Sequence, residues 1–293
     1  MIDLHMHTSY SDGTDTLEEL LINSKKANLN VISITDHNSC LAYYEMKEKN
    51  LANIYDGKII VGCEFTTSFD NQLIEVLGYG IDYNQIQAFM DEYYTKDFEN
   101  KVSFKIYNRL LKRVLDLGLK CDIENIELNK DFLERSIAIE LFKYPENKEI
   151  LKEDIWDNFS DFYRKGLTNP NSKLFLNYPE FKPSLSYIID IIHKSGGKAF
   201  LAHPYQYKVN EMDKFLNKIY DENDLDGIEC FYTTFSEKQI GHLINFAKSR
   251  NLLISGGSDY HGTNKEKHDL GIGRGNLNID ESIISNWNIN YFN

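Results

Sequence analysis

Residues 1–13 read MIDLHMHTSYSDG, an apolar beginning that leads into two histidines one residue apart and then into an Asp12-Gly13 turn. Alternate residues of a β-strand point to the same side, so we expect His5 and His7 to project together from the end of a strand. Two neutral imidazoles side by side are good ligands for a divalent first-row metal. Taken alone, such a pair is more often a chance occurrence on a surface turn, so the rest of the chain has to supply the missing ligands.

Polar residues also follow or lie within other predicted strands. A β-branched strand over residues 31–35 ends at Asp36 and His37, and a third strand over residues 58–63 stops at Glu64. The remaining strands are predicted over residues 73–79 with Glu75 inside, 198–202 ending at His203, 227–231, and 252–255 shortly before Asp259 and His261.

Helices are predicted between these strands. Thr16 and Glu19 have the spacing of a capping box, which predicts a helix to about Lys26. Further helices are predicted around Tyr43 and Met46, from a Ser184 cap through residues 188–193, near residues 212–219, and from a Ser236 cap to Arg250. Strands that alternate with helices imply an α/β fold with a parallel sheet or barrel.

The middle of the chain differs, because residues 86–178 contain helix patterns and loops but no convincing strand. One helix is predicted over residues 102–117 with Gly118 as its stop, and another carries Phe132, Leu133, Ile137 and Leu141. We interpret residues 85–180 as a helical insertion, a lid or substrate-specificity subdomain, between two barrel parts at residues 1–84 and 181–293.

The bulk composition is that of a globular protein: 293 residues, 42% apolar and 26% charged. The formal net charge of −13 argues against broad binding to a nucleic-acid backbone or long duplex, which needs a basic surface. No stretch is long enough for a membrane span and no signal peptide is evident, so a cytoplasmic protein without a membrane partner is expected. The four cysteines lack CxxC spacing and are expected to be reduced and buried.

In a barrel, the carboxyl ends of the strands share one face, where active sites lie. Five of the eight histidines fall at such positions, together with several carboxylates. Imidazoles can hold individual ions and carboxylates can bridge two, so the set has the composition of a multinuclear metal site.

These motifs together resemble those of the PHP (polymerase and histidinol phosphatase) family. The resemblance is carried by His5-x-His7 with Ser11-Asp12-Gly13, Thr35-Asp36-His37, Gly62-x-Glu64, Ala202-His203-Pro204 and Ser258-Asp259-x-His261. Within the family, the chain is similar to the stand-alone phosphoesterases of the nucleoside 3′,5′-bisphosphate phosphatase and short-RNA 5′-nuclease branch. That branch implies a distorted (β/α)7 TIM-like barrel with two or three divalent ions, Mn, Fe or Zn.

The resemblance also implies a ligand set. For the first metal it implies His5, His7, Glu64 and Asp259, with Glu64 bridging; for the second, His203; for the third, Asp12, His37 and His261. Where the family usually has a second-metal histidine, this chain has Glu75, which would favour Mn²⁺ or Fe²⁺ over Zn²⁺, hold that metal weakly, or simply face solvent.

Other residues are assigned by position. Arg135 lies in a segment that resembles the branch's phosphate-binding Arg-Pro-His element but lacks its Pro and His, so it is a candidate for holding substrate phosphate or a solvated side chain of a helix. Arg274, among glycines after the last metal motif, is a second candidate for holding phosphate. His193 and His242 fall within helices and are expected to have packing or surface roles. His268 lies on a loop that could reach the site. Asp3 and Asp36 are expected to orient the ligand imidazole rings.

The expected reaction is hydrolysis of a phosphomonoester of a nucleotide or short oligonucleotide by metal-activated hydroxide. Asp259 is expected to accept the proton of the nucleophilic water, and His37 or His261 to assist the leaving group. The alternatives are a histidinol-phosphate-type phosphatase, a 3′–5′ exonuclease, and a metal-stabilised PHP module that binds a partner without catalysis.

Overall fold

A computed structural model describes residues 1–128, 133–167, 169 and 171–292. The chain divides into two compact units, one formed by Met1–Glu92 with Lys182–Asn293 and the other by Tyr93–Phe181. The interpretation of the middle segment as a lid or substrate subdomain stays a prediction.

The first unit is built on one seven-stranded sheet whose strands follow in sequence order. They are β1 (Ile2–Met6), β2 (Val31–Ile34), β3 (Lys58–Phe69), β4 (Gln72–Tyr79), β5 (Lys198–Leu201), β6 (Gly227–Tyr232) and β7 (Leu253–Gly257). The loop after β7 returns to β1, where the Asp259 N–H donates to the His5 carbonyl at 2.8 Å and the His7 N–H donates to the Tyr260 carbonyl at 2.9 Å. The sheet therefore nearly closes into a barrel, which confirms the predicted α/β barrel-like fold.

The structure corrects the prediction that the third strand stops at Glu64. β3 continues to Phe69, and β4 returns antiparallel to it, with Glu64 opposite Leu77. Residues 65–69 are aromatic or carry β-hydroxyls, which suits an extended strand beyond the carboxylate. Asp70 and Asn71 then adopt positive φ values of 50° and 59°, as a tight hairpin turn requires. Glu64 thus enters the site from the middle of a hairpin strand.

The same hairpin makes the sheet mixed. β1, β2 and β3 are parallel to one another, as are β5, β6 and β7, but β4 is antiparallel to both of its neighbours. The prediction of a purely parallel sheet, made from the alternation of strands and helices, is therefore wrong at β4. The reason is that a two-residue turn, and no helical crossover, connects β3 to β4.

Helices cover the sheet of the first unit. They are α1 (Leu17–Lys26), α2 (Leu41–Glu48), α3 (Tyr83–Tyr93), which crosses the boundary of the unit, α8 (Leu185–Lys194), α9 (Met212–Glu222) and α10 (Glu237–Ser249). The predicted caps are confirmed: Thr16 forms a capping box with Glu19, Ser236 forms one with Gln239, and the Ser184 side chain accepts from the N–H of Tyr187. These caps satisfy N–H groups that a helix start leaves without intrahelical partners.

An apolar layer packs within the barrel below the predicted site residues. It includes Ile60 of β3, Leu77 and Tyr79 of β4, Phe200 of β5 and the fully buried Trp287. Because side chains alternate along a strand, Ile60 shares a face of β3 with Glu64, and Leu77 and Tyr79 share a face of β4 with Glu75. The strand pattern therefore places the carboxylates at one end of a packed hydrophobic core.

The second unit contains helices joined by turns and loops, and no strand among its described residues. Its helices are α4 (Lys96–Asp116), α5 (Leu133–Phe142), α6 (Asn147–Leu151) and α7 (Phe159–Asp161), the last followed by a π-helical turn over Phe162–Leu167. Leu110 and Val114 of α4 pack with Ile137 and Leu141 of α5 in a separate apolar core. The predicted helix that includes Phe132 is described from Leu133 onward, and Phe132 itself lies outside the described residues.

Candidate metal centre

The structure brings the nine predicted ligands together in one cluster. They are His5, His7, Asp12, His37, Glu64, Glu75, His203, Asp259 and His261, and each lies within 3.8 Å of another member. They come from β1, β3, β4 and the loops that follow β1, β2, β5 and β7. Residues separated by more than 250 positions in sequence therefore meet because the barrel closes.

Glu64 lies at the centre of this cluster and is fully buried. Its Oε2 is 3.1 Å from His5 Nε2, 3.3 Å from His7 Nε2 and 3.3 Å from His37 Nδ1. Its Oε1 is 3.0 Å from His203 Nε2. One carboxylate thus contacts four imidazoles with two oxygens, which is the position that a carboxylate bridging two ions would need.

Asp12 forms a second group of contacts. Its Oδ1 lies 3.0 Å from His261 Nε2, 3.7 Å from His7 Nδ1 and 3.8 Å from His37 Nε2. The rings of His7 and His261 stack with centroids 4.0 Å apart. The side of the cluster that faces Asp12 is therefore rich in imidazole.

Glu75 points into the cluster. Its Oε2 is 3.3 Å from His203 Nε2 and its Oε1 is 3.7 Å from His37 Nδ1, with 27% of the side chain exposed. This geometry favours a ligand role over the solvent-facing alternative, and ligation by Glu75 stays a prediction.

Several imidazole nitrogens of the cluster are buried without a hydrogen-bond partner among the described residues. They are both ring nitrogens of His7, Nδ1 of His37, Nδ1 of His203 and Nε2 of His261. Buried polar atoms ordinarily have hydrogen-bond partners, so several ring nitrogens without such partners in one cluster indicate that a ligand belongs there. Three sets of donor atoms lie mutually within 4.8 Å: His7, Asp12, His37 and His261; His5, His7 and Glu64; and His37, Glu64 and Glu75. The donor set therefore fits divalent cations.

The electrostatics agree with this fit. Burial lowers the pKa of His5, but the charges of Glu64, Glu229 and Asp259 outweigh it and raise that pKa well above its ordinary value. Burial also lowers the pKa of His7, but the contacts with Asp259 and Glu64 outweigh it and raise that pKa to about 9. The carboxylates thus hold protons on nitrogens for which a divalent cation competes.

His261 is affected in the opposite direction. Burial first, and then the charge on His7, lower its pKa to about 4. A neutral imidazole keeps a lone pair on one nitrogen, and Nδ1 of His261 already lies 2.9 Å from the Asp259 carbonyl. Nε2 is therefore the nitrogen of His261 that remains for a ligand.

Asp3 and Asp36 do not orient the ligand rings, which corrects that prediction. Asp3 accepts from the Ser258 hydroxyl at 2.6 Å and from the Gly271 N–H at 2.7 Å. Asp36 accepts from the N–H of Thr8 at 2.8 Å and from the hydroxyl of Ser11 at 2.6 Å. Both carboxylates instead hold the segments that carry the ligands, because their described hydrogen bonds go to backbone N–H and hydroxyl groups of those segments.

Three residues that the sequence analysis missed contact the cluster. Glu229 of β6 lies 2.9 Å from His5 Nδ1. Tyr232 donates its hydroxyl to Asp259 Oδ2 at 2.6 Å, and Lys265 Nζ lies 2.6 Å from the same oxygen. A glutamate within the otherwise apolar strand GIECFY was a signal for Glu229, whereas the sequence around Lys265 contains no comparable signal.

The predicted phosphate-binding arginines have other described contacts. The Arg135 guanidinium lies over the rings of Phe159 and Tyr163, 5.6 and 5.8 Å from their centroids. Arg274 is exposed, and its backbone N–H donates to Asn276 Oδ1. Binding of substrate phosphate by Arg135 and Arg274 stays a prediction.

The remaining histidines have partners outside the nine-residue cluster. His193 Nε2 lies 2.8 Å from Asp226 Oδ2, and His242 Nε2 lies 2.7 Å from Asp213 Oδ1. His268 is buried beside the cluster, with Nδ1 3.1 Å from the Ser258 carbonyl. The predicted packing and surface roles of His193 and His242 agree with these contacts.

Two further findings bear on the chain as a whole. All four cysteines are free thiols, as predicted, and Cys40, Cys63 and Cys230 are buried. Cys121 is partly exposed, which corrects the expectation that all four are buried. Within the described residues, no helix has both the length and the apolar character to cross a membrane.

The sequence was compared with protein-family models and with proteins of known function. A family model described as PHP domain matches residues 3–246. The chain is 25% identical over 262 residues to the 5′-3′ exoribonuclease Rnm of Escherichia coli strain K12, covering 88% of this chain and 84% of that protein. It is 22% identical over 271 residues to a phosphoribosyl 1,2-cyclic phosphate 1,2-diphosphodiesterase of Eggerthella lenta, covering 89% and 94%.

Solved structures show the same fold. A structure from Bifidobacterium adolescentis, described as a metal-dependent phosphoesterase, superposes with a TM-score of 0.66 at 22% identity over 96% of this chain and 93% of that one. An amidohydrolase from Chromobacterium violaceum, with bound sulfate, gives a TM-score of 0.65 at 19% identity over 92% and 89%.

Proposed function

This chain belongs to the PHP domain family, and from that premise we propose that it is a metal-dependent hydrolase of phosphomonoesters on a nucleotide or the end of a short oligonucleotide. The observation that carries the proposal is the cluster of five imidazoles and four carboxylates with buried nitrogens directed into a common space. Such a donor set suits a di- or trinuclear centre.

The proposed ligands divide into three groups. They are His5, His7, Glu64 and Asp259 for one ion, Glu64, Glu75 and His203 for a second, and Asp12, His37 and His261 for a third. When bound, divalent ions supply Lewis-acid activation of the phosphoryl group and of the attacking water.

His37 is the imidazole of the cluster best placed to exchange protons with substrate. Its side chain is 26% exposed, whereas those of His5, His7 and His261 are almost completely buried. A proton donor to a leaving oxygen must reach the substrate as well as the centre. We therefore assign the leaving-group role to His37 before His261, in a dinuclear form of the centre where no third ion occupies their ring nitrogens.

Asp259 is better suited to bind a metal ion than to accept the proton of the attacking water. Burial raises the pKa of Asp259, but the charges of Lys265 and His5 and the contact with His7 outweigh it. They hold that pKa well below its usual range. A carboxylate of low proton affinity is a weak general base. Its Oδ1 faces His5 and His7, at 3.5 and 3.3 Å, while its Oδ2 is held from the other side.

Lys265 supplies the cation that the cluster presents to an anionic substrate. Its Nζ lies 2.6 Å from Asp259 Oδ2, so the ammonium group borders the cluster, and 28% of its side chain is exposed. Lysine binds phosphate as a point charge. We propose that Lys265 contacts the substrate phosphate while it neutralises Asp259.

We expect Lys265→Met to lower kcat/KM for phosphate release by about 10- to 100-fold, the equivalent of a charge-assisted hydrogen bond of about 1.5–3 kcal/mol. Lys265→Arg should restore part of the loss. Lys267→Met, which removes an exposed lysine from the same loop, is the matched control and should retain activity. Equal activity of Lys265→Met and the control, measured under the same metal loading, would exclude a phosphate contact.

The substrate class is supported by the relatives and by charge. Two relatives carry names for hydrolysis of RNA or of a ribosyl phosphate ester, which supports a nucleotide-like substrate here. The formal net charge of −13 disfavours a long polyanion, since a basic surface is needed to neutralise many phosphates. A short oligonucleotide or a single nucleotide remains the best match, and removal of nucleotides from the 5′ end of short RNA is the second candidate.

Phosphate and nucleotide release from a substrate panel tests this function. The panel contains a nucleoside 3′,5′-bisphosphate, a short 5′-phosphorylated RNA and histidinol phosphate, each with Mn²⁺, and His5→Ala serves as the inactive control. We expect release from the bisphosphate or the RNA and none from the control. Release from histidinol phosphate alone would move the protein to that branch, and the absence of release from metal-loaded protein would overturn the proposal.

A further inference from the structure

Glu229 lies on β6, behind the cluster, and both of its carboxylate oxygens are engaged. Oε1 is 2.9 Å from His5 Nδ1, and Oε2 accepts from the backbone N–H of His203 at 2.8 Å. The residue is fully buried. A buried carboxylate is retained at such a position only when partners compensate its desolvation, and here both partners belong to predicted ligands.

The contact with His5 determines which ring nitrogen faces the cluster. The Nε2 of His5 lies 3.1 Å from Glu64 and 3.5 Å from Asp259, so it is the nitrogen directed at the proposed ions. A carboxylate beside Nδ1 keeps the proton on that nitrogen and leaves the Nε2 lone pair free.

The contact with His203 acts on the backbone. His203 has φ 24° and ψ 61°, close to the left-handed region, and Pro204 follows it. The residue before a proline is sterically restricted, and such a backbone conformation is strained, so it persists only where the surroundings hold it. The Glu229 carboxylate holds the His203 N–H in the orientation that lets the ring reach Glu64.

We propose that Glu229 is a positioning residue that fixes the Nδ1–H tautomer of His5 on β1 and the backbone of His203 in the loop after β5, and so prepares both histidines to bind neighbouring metal ions. The inference rests on the proposed function only in that the cluster binds divalent ions. It does not depend on which phosphoester is hydrolysed.

A glutamine at this position is a sharp test because an amide cannot satisfy both partners. If its oxygen accepts from His5 Nδ1, its NH₂ group faces the His203 N–H and two donors oppose each other. If the amide is reversed, its NH₂ group donates to His5 Nδ1 and moves the ring proton to Nε2, where it blocks the metal. In either orientation one of the two histidines is mispositioned.

We therefore expect Glu229→Gln to raise the Kd of Zn²⁺ or Mn²⁺ about 10- to 100-fold at one site, as measured by titration calorimetry together with the number of ions bound. Asp226→Asn is the matched control. Asp226 Oδ2 also lies 2.8 Å from a histidine ring nitrogen, that of His193, and accepts from the Ala199 N–H at 2.8 Å, but it is outside the cluster. Unchanged Kd and stoichiometry in Glu229→Gln, or an equal loss in Asp226→Asn, would overturn the proposal.

A measurement on the unaltered protein keeps the proposal testable if Glu229→Gln does not fold. In Zn²⁺-loaded, ¹⁵N-histidine-labelled protein, long-range ¹H–¹⁵N spectra should show His5 with a proton on Nδ1 and none on Nε2, assigned by comparison with His5→Gln. A proton on Nε2 would overturn the proposal.

These outcomes are separable from those of the substrate panel. Metal binding with the expected tautomer, but without phosphate release from any substrate, would overturn the proposed function and support the role of Glu229. Phosphate release with an unchanged metal Kd in Glu229→Gln would do the reverse.

Discussion

Phosphate release is expected to fall by about 10³-fold or more when Glu64 is replaced by Gln. The two oxygens of Glu64 lie within 3.3 Å of the rings of His5, His7, His37 and His203. Gln keeps the size of the side chain but loses the charge and one acceptor, so it cannot bridge two ions. A metal that stabilises transition-state charge is worth several kcal/mol, and each 1.36 kcal/mol is a factor of ten in rate.

The measurement is the initial rate of phosphate release at saturating Mn²⁺, with bound metal counted in the same preparation. Glu140→Gln is the matched control, because Glu140 is also buried but pairs with Lys143 in the second unit at 2.7 Å. That variant should change stability more than turnover. More than a tenth of the unaltered rate in Glu64→Gln, with full metal content, would contradict a bridging role.

Removal of divalent ions is the second change with a large expected effect. Chelation followed by dialysis should abolish phosphate release, and added Mn²⁺ should restore it. The chain should stay folded, since protons on His5 and His7 offset part of the repulsion among the buried carboxylates. A ligand present at about 100 times its Kd adds about 2.7 kcal/mol to the free energy of unfolding, which for a chain of 293 residues corresponds to roughly 4 °C in Tm.

Thermal unfolding with and without Mn²⁺ measures this shift. His7→Ala is the comparison variant, because both ring nitrogens of His7 are buried without a hydrogen-bond partner in the described part of the chain. Its metal-dependent rise in Tm should be smaller than that of the unaltered protein. Full turnover after complete chelation, or an identical rise in His7→Ala, would contradict the proposed centre.

Much of the fold could be predicted from sequence because the signals are local. The caps at Thr16, Ser184 and Ser236 depend on residues three positions apart, and strands such as β2 depend on short β-branched runs. The antiparallel hairpin of β3 and β4 could not be predicted in the same way. The pairing of Glu64 with Leu77 depends on which extended segment lies beside β3 in the sheet. The Asp70-Asn71 turn fixes that choice only when the segments on both sides of it form strands.

The residues of the candidate site also fall into those that the sequence predicts and those that only the tertiary structure identifies. By itself the sequence determined which residues are candidate ligands, because imidazoles and carboxylates at strand ends, such as His5, His7 and His203, carry their chemistry in their identity and position. Only the tertiary structure decided which groups support them: Glu229 behind His5, and Tyr232 and Lys265 on Asp259. The physical reason is that a hydrogen bond between residues 224 positions apart, as between His5 and Glu229, exists only once the barrel has closed, and no local pattern encodes it.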